Sequence, residues 1–166
     1  MKRIALALGA GGILAVSGVG MAAAADGGPS DSVSGAIKRT GVRDDLERHF
    51  VVSAHDGPNG ATGTYHATYG KGKSRTEYSG RVTCVRVEGN KAIVGIVVTS
   101  STRPDAVVGS GEIIRVIDNG NPNDGAPVDV VSPGVYSATP PQECPKPTGD
   151  VTPTYSGNML VKDGDL

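Results

Sequence analysis

The chain has no tryptophan, a single phenylalanine (Phe50) and only two cysteines among 166 residues. With so little aromatic bulk, packed helices have little to fill the space between them. A core of Val and Ile suits short strands between tight turns, where β-branched side chains fit a pleated surface. Twenty-five glycines and 11 prolines interrupt the sequence, and no long amphipathic helix can be traced through it. Charge of one sign is also lacking, the full chain carrying a formal net charge of -1. That balance gives neither nucleic acid nor an anionic membrane an electrostatic reason to bind.

Several chemical signatures are missing as well. The mature chain holds no G-x-S-x-G nucleophile elbow and no glycine-rich phosphate loop between a strand and a helix. Its two cysteines are nowhere near C-x-x-C spacing, which excludes a redox-active pair of that type. Glu47, Glu77, Glu88, Glu112 and Glu143 stand isolated, without the sequence pairing that marks a glycosidase couple. No catalytic residue, cofactor or metal is assigned on this basis, and the chain is read as non-enzymatic.

What the sequence does contain begins with a leader. Lys2 and Arg3 precede an apolar stretch, IALALGAGGILAVSGVG, which ends in Met21-Ala22-Ala23-Ala24-Ala25. A basic start, an apolar middle and small residues at Ala23-x-Ala25 are the marks of a secretory signal peptide, so residues 1–25 are expected to be removed and the mature chain to start at Asp26. Lys2-Arg3 favours the general export route, and no Cys near the cut offers a lipid anchor. The mature protein is then extracellular with no membrane span. Losing Lys2 and Arg3 leaves 14 basic against 17 acidic residues, a net of -3.

Residues 26–166 suit one domain. Cys84 and Cys144 both lie in the exported part, where an isolated pair is most simply one disulfide. Closing a loop of about 60 residues, it is worth roughly 4 kcal/mol in the chain-entropy model.

The richest stretch is Tyr78 to Thr99, YSGRVTCVRVEGNKAIVGIVVT. Two β-branched runs joined by Glu88-Gly89-Asn90-Lys91 predict a hairpin turning within those four residues. In the second run Ala92, Val94, Ile96 and Val98 occupy one parity, while Ile93 and Val97 occupy the other. Such a strand is expected to be buried on both faces, at the centre of a sandwich or barrel. Elsewhere Val33, Gly35 and Ile37 alternate with polar neighbours. Phe50, Val52 and Ala54 share a face, as do Gly63, Tyr65, Ala67 and Tyr69. GEIIRVID (111–118) and SGNMLVKD (156–163) supply further strands. Residues 130–155 are proline-rich and irregular, able to hold edge strands at most. The expected architecture is all-β: a single antiparallel β-sandwich or small β-barrel of about seven or eight strands with one disulfide.

Taken together, HFVVSAHDGPNGATGTY, GRVTCVRVEGNKAIVGIVV, IIRVIDNGNP, a proline-flanked Cys and a closing SGNMLVKDG resemble an uncharacterised family of small secreted β-rich proteins from high-GC Gram-positive bacteria. The resemblance spans roughly Val33 to Gly164 and is most specific from Gly80 to Gly95. It implies secretion and a single β-domain, and it brings no activity and no functional residues.

Three constellations invite a functional reading. His49 and His55 end one strand and His66 lies on the outer face of the next. Metal binding would need them to converge with a carboxylate such as Asp56, and solvated imidazoles are the expectation. The run from Asp118 to Asp124 is rich in oxygen ligands, but Pro122 breaks the phase of a calcium loop and no Glu follows at the required distance, so a turn is expected. Tyr65, Tyr69 and Tyr78 are the main aromatic surface available. They serve either as a binding patch or as core filling in place of Phe. The leading expectation is a secreted β-domain acting by surface binding or in the cell envelope, with its partner unspecified. A small-ligand carrier with a barrel cavity is the alternative, and a hydrolase or inhibitor whose site is invisible in sequence is the third.

Overall fold

A computed structural model describes residues 30–40, 47–132, 134–148 and 156–164. The leader, the mature start at Asp26 and the charged connection after Thr40 lie outside the described residues. The described chain is all-β, with strands β1 (Ser32–Thr40), β2 (Glu47–His55), β3 (Thr62–Tyr69), β4 (Thr76–Glu88), β5 (Lys91–Ser101), β6 (Gly111–Ile117), β7 (Val130–Val131), β8 (Val135–Ser137) and β9 (Ser156–Lys162). That is nine where about seven or eight were expected. The excess consists of β7 and β8, two and three residues long, which the prolines keep from growing.

One antiparallel sheet holds them all, in the order β7-β6-β5-β4-β3-β2-β1-β9, with β8 also paired to β6. Sequential strands are neighbours from β1 to β7, and the sheet curls into a half-barrel. The curl brings its two ends together through side chains. Met159 N–H, on β9, donates to Asp129 Oδ2 just before β7. Val161 N–H donates to Asp118 Oδ2 at 3.0 Å, just beyond β6. At the same end, Asp31 accepts from Val87 N–H at 2.7 Å and from Gly164 N–H at 3.1 Å, and Asp163 accepts from Gly89 N–H at 2.7 Å. Aspartates here do what main-chain carbonyls do inside a sheet: they satisfy strand-end donors that would otherwise be orphaned.

The hairpin forms as the sequence implies. β4 and β5 pair from Glu88↔Lys91 upward, and Gly89 takes the positive φ that the turn requires (61°). Ala92 to Ile96 are all buried, Ile93 and Ile96 completely. The inner parity joins a core with Val33, Ile37, Val52, Ala67, Val82, Ile114 and Val116.

The outer cover is not a second sheet. Cys84 and Cys144 form a disulfide with Cα atoms 5.5 Å apart, which straps the proline segment across the outside of β4 and β5. Gly95 marks the closeness of this contact: a Cβ there would meet Cys84 Sγ at 2.6 Å and Pro141 Cγ at 2.7 Å. The sequence parity of β5 therefore reports a strap on one side and the core on the other.

Candidate functional site

β3 and β4 run antiparallel with Ala67 opposite Tyr78 and Tyr65 opposite Gly80. This register puts Tyr65, Tyr69 and Tyr78 on the concave side of the sheet. They do come together, as core rather than as a binding patch: Tyr65 and Tyr78 are each 1 % exposed, and only Tyr69 keeps an accessible edge. Of the two readings of these tyrosines, core filling is the one their burial fits, since Phe50 alone cannot fill a concave face and phenol rings take up the remaining volume. Phe50 stacks on Tyr65 at 6.3 Å and meets Tyr69 edge-on at 5.8 Å, while Tyr78 stacks on Tyr69 at 6.0 Å. Tyr136, on β8, closes the set 6.3 Å from Tyr78.

Buried phenols need partners for their hydroxyls. Here the partner is Glu112, a carboxylate with no exposed surface. β6 places it between Ile96 of β5 and Tyr136 of β8, on the same inward parity as Ile114 and Val116. Tyr78 O–H donates to both carboxyl oxygens, at 2.7 and 2.9 Å. The Tyr65 and Tyr69 hydroxyls lie 3.4 and 3.5 Å from that of Tyr78. Gly134 makes the arrangement possible, because a Cβ on it would fall 1.6 Å from Glu112 Oε1.

Burial dominates the electrostatics. Desolvation raises the Glu112 pKa to about 7, against lowering contributions from the Tyr78 hydrogen bond and the Arg103 charge. Desolvation also pushes the Tyr65, Tyr69, Tyr78 and Tyr136 hydroxyls upward, with the Glu112 charge adding to the rise. All four remain neutral at physiological pH.

The 102–110 loop covers this cluster. Arg103 lays its guanidinium over the Tyr69 ring, 3.9 Å from the centroid, a close cation–π contact. Asp105 holds it there through a fork of two hydrogen bonds, one of them at 2.6 Å to Oδ2. That fork raises the Arg103 pKa further and holds Asp105 below the ordinary carboxylate range. Ala106 plugs inward at 1 % exposure. The loop is tied to the sheet by Thr102 N–H to Glu77 O at 2.8 Å and by Gly109 N–H to Val98 O at 2.9 Å.

Outside the loop lies an open groove of about 600 Å³ lined by Asp105, Val107, Val108, Ser110, Tyr136 and Ser137 among others. Val107 and Val108 are 62 % and 60 % exposed. Tyr136 belongs to both groove and cluster, so its ring is the wall between solvent and the buried carboxylate. A second depression, about 470 Å³, lies beside the disulfide and is more polar, with Asp31, Asp56, Thr83, Arg86 and Glu143 in its lining.

The other sequence candidates do not assemble. His66 Nδ1 pairs with Ser79 Oγ at 2.9 Å, and His55 lies against Ser30 Oγ at 3.3 Å. His49 sits opposite Thr68 on an exposed strand position. No group of three His, Cys, Asp or Glu among the described residues could hold a metal ion. In the 118–124 run, Asp118 accepts from Gly120 N–H at 2.8 Å and Asn121 caps the short 3₁₀ turn Pro122–Asp124. These oxygens serve turns and strand ends. Among the described residues, no helix is long and apolar enough to cross a membrane.

Comparison with family models, with curated proteins and with solved structures finds no match to the chain. Glu112 and Arg103 are the site residues that sequence reasoning missed. For Glu112 a signal existed: it shares its parity with Ile114 and Val116 on the strand read in GEIIRVID.

Proposed function

We propose that this protein is a secreted, non-enzymatic β-domain that acts through its surface, as a binding module outside the cell or in the envelope. The observation that carries the reading is the groove at the 102–110 loop, where two valines stand more than half exposed beside the Tyr136 ring. Apolar surface left in water is worth about 25 cal/mol per Å² when a partner covers it. Rigid aromatic and aliphatic anchors next to polar groups such as Ser110, Ser137 and Asp105 are the composition of binding surfaces. The leader, the disulfide and the resemblance to secreted β-rich proteins support an extracellular setting.

Tyr65, Tyr78 and Glu112 occupy the concave interior where a carrier would need space, which weighs for surface binding over ligand transport. We also read the curled sheet as a small barrel sealed by aspartates at its β7–β9 join, since backbone donors on β9 end on Asp118 and Asp129.

Two measurements test the reading. N-terminal sequencing of protein from the culture supernatant should start at Asp26; a retained Met1 or a cell-bound membrane form overturns secretion. Isolated cell envelopes mixed with the mature protein should carry it down on sedimentation, and a Val107→Asp/Val108→Asp variant should stay in the supernatant. Equal sedimentation of both proteins, or of neither, overturns the groove as the binding surface.

A further inference from the structure

Glu112 is buried without a cation in contact. Its only hydrogen-bond donor among the described residues is the Tyr78 hydroxyl. The groups facing it are Tyr78 from β4, Tyr65 and Tyr69 from β3, Tyr136 from β8, and Arg103 and Asp105 from the loop. Arg48 of β2 stands behind them, 5.9 Å from the Tyr69 centroid. β5 contributes only apolar neighbours, Ile96 and Val98. The nearest cation able to answer a charge on Glu112 is thus Arg103, and Arg103 is committed to Asp105 and to the face of Tyr69.

We propose that Glu112, Tyr78 and Tyr136 form a proton-operated latch on the 102–110 loop, closed when Glu112 is neutral and released when it is ionised. In the closed state the carboxyl is an uncharged member of the cluster and Arg103 stays clamped over Tyr69. On ionisation the Glu112 proton leaves to a water that reaches the cluster past Tyr136, on the groove wall. Tyr78 keeps its own proton and goes on donating to the carboxylate. Both phenols end neutral, and the single negative charge rests on Glu112. A buried carboxylate held by one neutral donor draws in either a counter-charge or water. Arg103 swinging from Asp105 toward the cluster, or water entering past Tyr136, each requires the loop to lift. Because Val107, Val108 and Ser110 lie on that loop, lifting it changes the groove. The latch goes beyond the proposed binding role and is tested without any partner.

The absence of tryptophan makes the test direct, since all intrinsic fluorescence comes from five tyrosines, four of which are in this cluster. The full mature chain is titrated between about pH 5 and about pH 9, the range in which a perturbed carboxyl titrates apart from ordinary ones. Tyrosine emission and the amide resonances of Ala106 and Gly109 are followed together. Emission should fall with rising pH as the carboxyl that accepts from Tyr78 gains its charge, and the two amides should move with the same midpoint, near 7. In Glu112→Gln all three signals should be flat. Arg103→Gln removes the cation nearest the cluster and leaves Glu112 in place; it should move the midpoint upward by roughly half to one pH unit, which keeps the test open even if Glu112→Gln does not fold. A wild type without this titration, loop amides that titrate unchanged in Glu112→Gln, or a midpoint indifferent to Arg103→Gln overturns the latch.

Discussion

The outer face of β4 and β5 and the interior beneath the 102–110 loop are both closed to water, by opposite means. On the outside, closure is a matter of shape. Gly95 leaves room for Pro141 and the disulfide, and the cover is close enough that Thr83 Oγ1 and Arg115 Nε, on this face, are buried with no hydrogen-bond partner among the described residues. Beneath the loop, closure depends on chemistry: four hydroxyls and a carboxyl must satisfy one another, and one of them can change charge. The first region should answer to volume and to covalent tethering and be indifferent to pH. The second should answer to protons.

The largest effect expected is on volume. Ile96→Ala and Ile93→Ala, on the two faces of β5, should each destabilise the fold by about 2–5 kcal/mol, the range for deleting buried aliphatic bulk. Chemical denaturation measures both, and an Ile93→Ala cost far below that of Ile96→Ala would mean that the strap excludes water poorly. Next comes the tether. Cys144→Ser should cost about 2–4 kcal/mol through the long loop it reopens, and unreduced mass spectrometry should recover a Cys84–Cys144 peptide. Two alkylatable thiols in the native protein would contradict the pairing.

The third prediction separates the regions by pH. Glu112 has a folded pKa of about 7 against an ordinary value of 4.5. A raised acid binds its proton more tightly when folded, so its contribution is fully present below about pH 4.5 and is lost as pH rises to about 7. The loss amounts to roughly 3 kcal/mol by linkage. Glu47 and Asp105 are shifted downward by Lys38 and Arg103, act with the opposite sign at lower pH, and are too exposed to mask this slope. Denaturation midpoints between about pH 4.5 and about pH 8 should fall for the wild type and hold level for Glu112→Gln. A wild type as level as the variant would place the ionised carboxyl comfortably in the interior. The smallest effect belongs to neither region: Lys162→Ala, on the exposed side of β9, should stay within about 0.5 kcal/mol of wild type.

Much of the shape-closed region was legible in the sequence. Parity alone places Val94 and Ile96 against Ile93, and Phe50 with Val52 and Ala54. Two cysteines in a chain read as exported leave one simple pairing. What parity cannot say is which material covers the second face, and here it is a proline strap where a second sheet would have served equally well. The proton-dependent region was mostly hidden. Tyr78 and Glu112 are 34 residues apart, and a lone Glu among Ile and Val reads as one more isolated carboxylate until strands two places apart in the sheet bring it to a phenol. Arg103 over Tyr69 depends on the path of a polar loop, which follows from no residue pattern. The aspartates at 31, 118, 129 and 163 look like turn chemistry, and nothing local reveals that they reach across to other strands.

Those aspartates have a bearing on how the molecule behaves at high concentration. The outer edge of a terminal strand is a template on which another chain can add, the first step of fibrous association. On β9 two donors that such a chain would need, at Met159 and Val161, already end on Asp129 and Asp118. An approaching strand must displace a carboxylate rather than meet bare amides. This edge is protected by occupancy of its donors, without a further strand among the described residues to cover it.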